Sequence, residues 1–160
     1  MLLGVVSDTH GNIPNTQAAV RMLEALQLSA VVHCGDIGAA EIPPLFHLWP
    51  THFVRGNVDR DSLAIQSAMP ESGTFHDRFA DLTIAQRRIA VVHSDDFKRF
   101  RAAIDSGLYD LVCYGHTHVA EQHVEGKTLV LNPGALHRAN PHSLAVVDLE
   151  TMEATISNLR

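Results

Sequence analysis

Short apolar runs alternate with polar clusters along this chain, and the first run sets the pattern. Leu2–Val6 is apolar and has the length of a buried strand. Asp8 and His10 follow it directly, and in an extended backbone side chains two positions apart point the same way. A carboxylate beside an imidazole at the end of a strand forms half of a metal site. The opening segment therefore predicts a strand with ligands at its carboxyl end.

The next apolar positions predict a βαβ unit. Asn12 is a plausible N-cap for a helix whose apolar face has i, i+3, i+4 and i+7 spacing. Residues 30–34 predict a second strand, which ends at Gly35 and Asp36. Sheets built from such units bind ligands beyond the carboxyl ends of their strands. The apolar positions of this helix are Ala19, Met22, Leu23 and Leu26.

The remaining pattern predicts more strands and three further helical segments. Helices are expected over residues 41–49, 62–69 and 96–106, the last with Phe97, Phe100 and Ile104 on its buried face. The first half of the chain is typical of β/α structure and the last third is rich in strands, which predicts two sheets covered by helices. Strands are expected over residues 51–54, 78–85, 88–92, 109–114, 119–124, 128–131, 143–149 and 154–156.

Composition and charge narrow the class of protein. A length of 160 residues predicts one domain over residues 1–160. No apolar run is long enough to span a bilayer and the first residues lack a signal-peptide pattern, so we expect no membrane association and a cytoplasmic location. A formal net charge of -6 without a basic stripe argues against broad nucleic-acid binding but allows a small phosphate substrate. Cys34 and Cys113 are expected to be reduced core thiols.

Polar side chains follow five of the predicted strands, and three of these clusters have a glycine directly before them. If the strands lie side by side, the clusters converge at one edge of the sheets. Glycine at such points allows unusual φ values and close approach of the backbone to a site. The clusters are Asp8 with His10, Gly35-Asp36, Gly56-Asn57, His93, and Gly115-His116 with His118.

The seven nitrogen and oxygen ligands of these clusters predict a dinuclear metal centre. They exceed the needs of one tetrahedral ion and suit two ions that share a carboxylate. Mixed imidazole and carboxylate ligation favours Mn, Fe, Zn, Co or Ni over Mg or Ca. We therefore predict two divalent metal ions as cofactors, with Mn first and Ni, Co, Fe or Zn as alternatives. Paired metals about 3.5–4 Å apart suit an in-line displacement at phosphorus.

Six short motifs stand in a fixed order, and most of them end a predicted strand: Asp8-x-His10, Gly35-Asp36, Gly56-Asn57-x-Asp59, His93, Gly115-His116-x-His118 and Asn132-Pro133-Gly134. In this order they resemble the signature of the calcineurin-like metallophosphoesterases, and most closely the small single-domain phosphodiesterase branch. The match extends from residue 3 to about residue 135. The resemblance implies an α/β fold, a four-layer α/β/β/α sandwich of two mixed sheets flanked by helices.

The same resemblance implies a metal-dependent phosphodiesterase that hydrolyses a small phosphoester. A hydroxide between two metals would attack phosphorus in line, with Asn57 and His116 counted among the catalytic residues. Asp36 would bridge the two ions. The resemblance assigns the other ligands as Asp8, His10 and His118 for the first metal, and Asn57, His93 and His116 for the second.

Two positions depart from the family pattern. Many relatives have His where this chain has Val58, and that His is assigned to protonating the leaving group. Valine cannot transfer a proton, so we expect a preference for diesters or activated esters over simple alkyl monoesters. The second departure is Asp95, where small relatives often have His. Asp95 is interpreted either as the N-cap of the helix beginning at Asp96 or as negative charge near the phosphate.

Several alternatives remain open at this stage. A non-catalytic scaffold of the same fold would bind a protein partner through an apolar patch, for which 45–49 is the candidate segment. Asn12 is either only a cap or a phosphate contact, and Asp59 either caps the next segment or orients a ligand. Asn132-Pro133-Gly134 is either a turn or a border of the site, whereas His33 is expected to be packed. A homo-oligomer is compatible with the sequence.

Overall fold

The computed structural model of the chain describes residues 1–159, and its helices and strands follow the predicted pattern closely. The α-helices are α1 (Ile13–Glu24), α2 (Ser62–Ser67) and α3 (Phe97–Asp105), with a 3₁₀ turn at Pro43–Phe46. The strands are β1 (Leu2–Val6), β2 (Leu28–His33), β3 (Thr51–Phe53), β4 (Gly73–Phe75), β5 (Phe79–Ile84), β6 (Arg87–His93), β7 (Leu111–Gly115), β8 (Glu121–Glu125), β9 (Thr128–Asn132), β10 (Ser143–Asp148) and β11 (Glu153–Asn158).

These strands form two mixed sheets. The six-stranded sheet has the order β11-β10-β1-β2-β3-β4, with parallel pairing from β1 to β4 and antiparallel pairing at β10 and β11. The five-stranded sheet has the order β5-β6-β7-β9-β8, with β6, β7 and β9 parallel. Its outer strands β5 and β8 are antiparallel to their neighbours.

Alternation along the strands creates three apolar layers. One layer lies between the sheets, where Leu3 and Val32 of one sheet belong to the same buried cluster as Leu111 of the other. A second layer packs α1 and the 3₁₀ turn on the outer face of the six-stranded sheet. A third packs α3 on the five-stranded sheet, with Phe100 in its buried cluster. The predicted four-layer α/β/β/α sandwich is therefore confirmed.

One predicted helix is wrong in type and extent. Residues 41–49 form only a 3₁₀ turn at Pro43–Phe46, with the Leu45 N–H bonded to the Ile42 carbonyl at 3.1 Å. The His47 and Trp49 amides also bond three residues back, to the Pro44 and Phe46 carbonyls, which is 3₁₀ rather than α-helical pairing. The short strand β4 was not predicted either, because it has only three residues and lies at the edge of its sheet.

Helical periodicity also placed two residues wrongly. Leu26 lies beyond the end of α1 and is 40% exposed, and Phe97 in the first turn of α3 is 64% exposed. The spacing identifies the apolar face of a helix but does not show how far along that face the packing extends. Val119 lies in a loop, because β8 begins only at Glu121.

Cys34 and Cys113 are both buried and free, as expected of core thiols. Across residues 1–159, the helices are all too short or too polar to cross a bilayer.

A buried histidine at the end of β2 ties two loops together. The Nδ1 of His33 accepts the Gly35 N–H at 3.3 Å, and its Nε2 lies 3.0 Å from the Thr9 hydroxyl. That hydroxyl donates to the Ile37 carbonyl at 2.9 Å, so it must accept from His33 Nε2–H. His33 is therefore a neutral, packed histidine, as expected, and burial lowers its pKa to about 4.

The neutral imidazole of His33 should make the protein sensitive to mild acid. Its pKa is about 4 in the folded protein and 6.5 in its reference state, so the unfolded chain binds the additional proton. The contribution to stability is complete above pH 6.5 and decreases as the pH falls toward 4. At pH 5 we expect a loss of about 2 kcal/mol.

Urea unfolding of chelator-treated protein between pH 7 and pH 5 measures this loss. His33→Gln should be less stable than wild type at pH 7, and its free energy of unfolding should fall about 2 kcal/mol less over that interval. Other titrating groups are common to both proteins and cancel in the difference. Parallel pH profiles for the two proteins would contradict the assignment of a neutral His33.

Candidate metal centre

All seven predicted ligand side chains lie together where the carboxyl ends of β1, β2, β3, β6 and β7 meet. The first group contains Asp8, His10 and His118. The Nε2 atoms of the two histidines are 3.3 Å apart, and Asp8 Oδ1 lies 3.2 Å from His118 Nε2 and 3.7 Å from His10 Nε2. These three atoms converge on one point, as the ligands of a single cation would.

The second group contains Asp36, His93, His116 and Asn57. Asp36 Oδ1 lies 3.3 Å from His93 Nε2. Asn57 Oδ1 is 3.2 Å from that same nitrogen and 3.1 Å from His116 Nδ1. Two nitrogens and two oxygens therefore surround a second point, and both carboxylate and amide oxygen are competent ligands.

Asp36 connects the two groups. Its Oδ1 belongs to the second group, whereas its Oδ2 lies 3.5 Å from His10 Nε2 of the first. The Val58 N–H donates to Oδ1 at 3.0 Å and fixes the orientation of the carboxylate. Asp36 thus lies between the two groups, with one carboxylate oxygen facing each.

Asp8 carries an orphaned oxygen that suits a cation. Its Oδ2 accepts from the Ser7 hydroxyl at 2.6 Å and from the His116 N–H at 3.1 Å. Its Oδ1 is buried and has no hydrogen-bond partner. A buried carboxylate oxygen without a donor is costly unless a positive charge lies against it, so the donor set fits a metal ion.

Hydrogen bonds at the far side of two rings leave their other nitrogens free. His93 Nδ1 lies 2.8 Å from the Cys34 carbonyl, and His118 Nδ1 lies 3.3 Å from the Arg138 carbonyl. A carbonyl only accepts, so each Nδ1 carries the proton and each Nε2 presents a lone pair to the site. This is the tautomer that a metal requires.

Charges within the cluster keep its carboxylates ionised. Burial opposes ionisation of Asp8, but His10 and Ser7 hold its pKa below the usual range. Burial likewise opposes ionisation of Asp36, and His93 lowers its pKa. Burial opposes protonation of His93, but Asp36, Asp8 and the Cys34 carbonyl together raise its pKa. The neighbouring imidazoles and hydroxyl therefore favour the ionised form of both carboxylates.

Five of the seven side chains stand on left-handed backbone, which is uncommon for residues other than glycine. Such conformations cost about 1 kcal/mol or more each and concentrate at functional sites. The surrounding contacts must hold them in place. The φ values are 54° for Asp8, 44° for His10, 52° for Asp36, 85° for His116 and 60° for His118.

Two of the glycines predicted at strand ends are required by close approach. A Cβ at Gly56 would lie 2.1 Å from Asp36 Oδ1, and one at Gly115 would lie 2.0 Å from Ser7 Oγ. No side chain fits at either position without displacing a candidate ligand or its support. This confirms the expectation that the backbone approaches the site closely at these points.

Asp59 holds together the two loops that carry Asp36 and Asn57. Its carboxylate accepts the N–H groups of Ile37 at 3.1 Å, Gly38 at 2.8 Å and Gly56 at 2.8 Å. Burial raises its pKa, which the three amide bonds oppose. Asp59 does not cap the next helix, because the Asp61 side chain caps α2.

Asp95 is not the cap of α3. The cap is Asp96, whose side chain accepts the Arg99 N–H at 3.2 Å. Asp95 instead receives a 2.6 Å bond from Arg78 Nη2, so its charge is paired beside the loop that follows His93. Either of two adjacent aspartates could cap the helix, and the sequence does not show which one will pair with Arg78, which lies in the turn before β5.

Asn12 is confirmed as an N-cap, since its Oδ1 accepts the Asn15 N–H at 3.0 Å. Its amide nitrogen also lies 3.2 Å from His137 Nδ1, and the His137 ring centre is 5.5 Å from that of His10. His137 thus borders the first group, which sequence reasoning missed. No motif marks this histidine; it follows the Asn132-Pro133-Gly134 turn.

That turn also supports the loop carrying His116 and His118. Asn132 is fully buried; its amide donates to Thr117 Oγ1 at 3.0 Å and its oxygen accepts the Gly134 N–H at 2.9 Å. Thr117 lies between the two histidines. The turn therefore borders the site, and the supporting roles of Thr117 and Ser7 had no recognisable signal in the sequence.

This chain is similar to known phosphoesterases both in sequence and in structure. A phosphodiesterase of Methanocaldococcus jannaschii is 29% identical over 138 residues, covering 84% of this chain and 83% of that protein. The "probable metallophosphoesterase YsnB" of Bacillus subtilis is 29% identical over 162 residues, covering 95% and 86%. A solved structure of an archaeal phosphodiesterase has a TM-score of 0.91 at 26% identity and covers 99% of this chain and 100% of that one.

A Vps29 variant from Entamoeba histolytica has the same fold, with a TM-score of 0.69 at 18% identity over the full length of both chains. The family model described as the calcineurin-like phosphoesterase superfamily domain matches residues 1–152, which is nearly the whole chain. The predicted family and the prediction of a phosphoesterase enzyme are therefore confirmed. This chain belongs to the calcineurin-like phosphoesterase superfamily.

Proposed function

We propose that this chain is a phosphodiesterase that works with two divalent metal ions, Mn²⁺ first among them. The observation that carries the proposal is the pair of ligand groups joined by Asp36, with the orphaned Asp8 Oδ1 facing the first. Asp8, His10 and His118 would hold one ion. Asn57, His93 and His116 would hold the other, and Asp36 would bind both.

Two divalent ions in such a site supply an activated water for in-line attack on phosphorus and offset the charge of the phosphoryl oxygens. The residues of the chain determine where the ester lies. Asn57 and His116 are the exposed members of the second group. Within residues 1–159 the Asn57 amide nitrogen makes no hydrogen bond, so it is free to donate to a phosphoryl oxygen.

The names of the relatives support a small phosphoester as substrate, and two of them are described as phosphodiesterases. The free, buried cysteines are compatible with the reducing cytoplasm. The scaffold hypothesis receives no support from its candidate patch, because Phe46 and Trp49 are buried in the core. Leu48 is 49% exposed, and a single exposed leucine is ordinary.

Turnover of bis-p-nitrophenyl phosphate should depend on metal and on Asp36. Chelator-treated protein should be inactive, and Mn²⁺ should restore activity. Asp36→Asn keeps the shape of the side chain but loses its charge, and it should lower kcat/KM by more than about 100-fold. Mutating a residue that only hydrogen-bonds to a metal ligand already lowers activity or metal affinity by about 10–100-fold, and Asp36 is a candidate ligand itself.

Asp81→Asn is the matched control for Asp36→Asn, because Asp81 is a surface carboxylate that pairs with Arg88 on the five-stranded sheet. It should retain full activity. Turnover that survives the chelator, or that Asp36→Asn leaves unchanged, would contradict the proposal. Repeating the titration with Ni²⁺, Co²⁺ and Zn²⁺ ranks the metals.

The absence of a side-chain acid at position 58 should set the choice of ester. Val58 is 40% exposed beside Asn57. Wild type should turn over diesters faster than simple alkyl monoesters, whose poor leaving groups need a proton. Val58→His should raise kcat/KM for an alkyl monoester by at least about 10-fold, since a positioned acid contributes about 10²–10⁴-fold.

Val124→His is the control for this substitution, because Val124 is 65% exposed on β8 and belongs to neither ligand group. It should leave kcat/KM unchanged for both the diester and the alkyl monoester. A wild type that prefers alkyl monoesters, or an equal gain in both variants, would refute the expected ester preference.

The bond from Asn132 to Thr117 should affect metal affinity rather than folding alone. Thr117→Val removes the acceptor between His116 and His118 and should weaken Mn²⁺ binding about 10-fold, measured by titration calorimetry. Thr128→Val removes a buried hydroxyl bonded to the Tyr109 carbonyl and should lower stability without changing Mn²⁺ affinity. Equal affinities in the two variants would argue against this supporting role.

A further inference from the structure

A small cavity beside the candidate metal centre has no role in the function proposed above. It has a volume of 210 Å³ and lies between the segment 38–40 and the segment 58–65. Its walls combine small apolar side chains, including Ala39, Val58, Ala64 and Ile65, with the charged residues Asp59, Arg60 and Asp61. Pockets that enclose a whole drug-sized ligand measure about 300–1,000 Å³, so this one accommodates part of a molecule.

Two contacts place the cavity directly against the ligand groups. Val58, in one wall, donates its N–H to Asp36 Oδ1 at 3.0 Å. Gly38, in the other wall, packs on His10 so closely that a Cβ at position 38 would lie 2.6 Å from the His10 Cα. The cavity therefore lies next to the ligand groups, although none of the seven candidate ligands lines it.

The walls of the cavity are held in position before any ligand arrives. Asp59 accepts N–H groups from Ile37 and Gly38 on one side and from Gly56 on the other. The three hydrogen bonds to this buried carboxylate connect the two segments. A preformed cavity of this kind favours a specific group, because little conformational freedom is lost on binding.

Arg60 is the basic residue among those that line the cavity, and it is exposed. The Asp59 carboxylate is occupied by three amides, and the Asp61 side chain caps α2 through the Ala64 N–H at 3.2 Å. The nearby Arg55 and Arg78 form ion pairs with aspartates. Among residues 1–159 no carboxylate pairs with Arg60, so its planar guanidinium is available to an oxyanion.

We propose that this cavity is a subsite for one ester group of the substrate, and that this group is compact and carries its own negative charge, a carboxylate or a second phosphate. The inference rests on the proposed phosphodiesterase function. Arg60 is then a specificity-determining residue that binds the distal anion, while the apolar walls limit the size of the linking carbon chain.

Binding of non-hydrolysable phosphonates to the Mn²⁺-loaded protein tests the subsite. Phosphonopropionate carries a carboxylate two carbons from its phosphonate, and ethylphosphonate is the same molecule without it. Titration calorimetry should show phosphonopropionate binding about 10-fold more tightly, as expected for a charge-assisted bond to guanidinium. Ethylene bisphosphonate replaces the carboxylate by a second phosphonate and shows which anion is preferred.

Arg60→Gln should remove this preference and leave the affinity for ethylphosphonate unchanged. Arg21→Gln is the matched control, because Arg21 is an exposed arginine on α1 that also makes no ion pair within the described chain. It should keep the full preference. Ala64→Leu fills the cavity from the exposed helix α2 and should weaken phosphonopropionate while Mn²⁺ affinity stays the same.

The outcomes separate the subsite from the function on which it rests. Equal affinities of the two phosphonates in wild type, or an equal loss for both in Arg60→Gln, would overturn the subsite even if diesters are hydrolysed. If neither phosphonate binds and no diester is hydrolysed with any of the metals, both proposals fail. Hydrolysis of a p-nitrophenyl diester bearing a carboxyethyl group, faster than of its ethyl counterpart and only with Arg60 intact, would support both.

Discussion

The position of the Asp36 carboxylate is the constraint on which the site depends. One of its oxygens faces His93 and accepts the Val58 N–H, and the other faces His10. Asp36 can serve both groups only because β2 ends between β1 and β3, and because the second sheet brings His93 against it. The burial of that carboxylate is unfavourable by itself and becomes acceptable among imidazoles and cations. The packing of the two sheets therefore places this buried carboxylate among imidazoles at their shared edge.

The sequence predicted the layers and the convergence of the seven side chains because both depend on short-range rules. An apolar run that ends in Asp or His indicates a strand and its carboxyl end, and parallel strands bring such ends to one edge. The hydrogen bonds of the Asp59 carboxylate and the bond from Asn132 to Thr117 follow no such rule. They join loops about 15–22 positions apart, so only the folded backbone shows that a carboxylate or amide reaches those particular partners. Asp95 illustrates the same limit, because its partner Arg78 lies 17 positions away in the turn before β5.

The contacts that hold the strained backbone of the candidate ligands also favour metal binding. Asp8 and His10 hold left-handed conformations, and so do three other candidate ligands. Unfavourable conformations persist only where the surroundings over-determine them, and here the loops are fixed by His33, Asp59 and Asn132. Each of these three lies outside the ligand groups and is bound to the loops rather than to a ligand side chain. Their contribution is to keep the lone pairs converging, which reduces the conformational freedom lost when a cation binds.

The environment of Val58 connects the choice of reaction to the choice of substrate. A valine at this position cannot donate a proton to a leaving group, which favours esters with good leaving groups. The same side chain forms a wall of the cavity that contains Arg60. A guanidinium in that cavity would hold an anionic ester group by charge and hydrogen bonds, without transferring a proton. Binding of an anionic ester group in this cavity would fix the position of the substrate. That positioning would offset the lack of a side chain that protonates the leaving group.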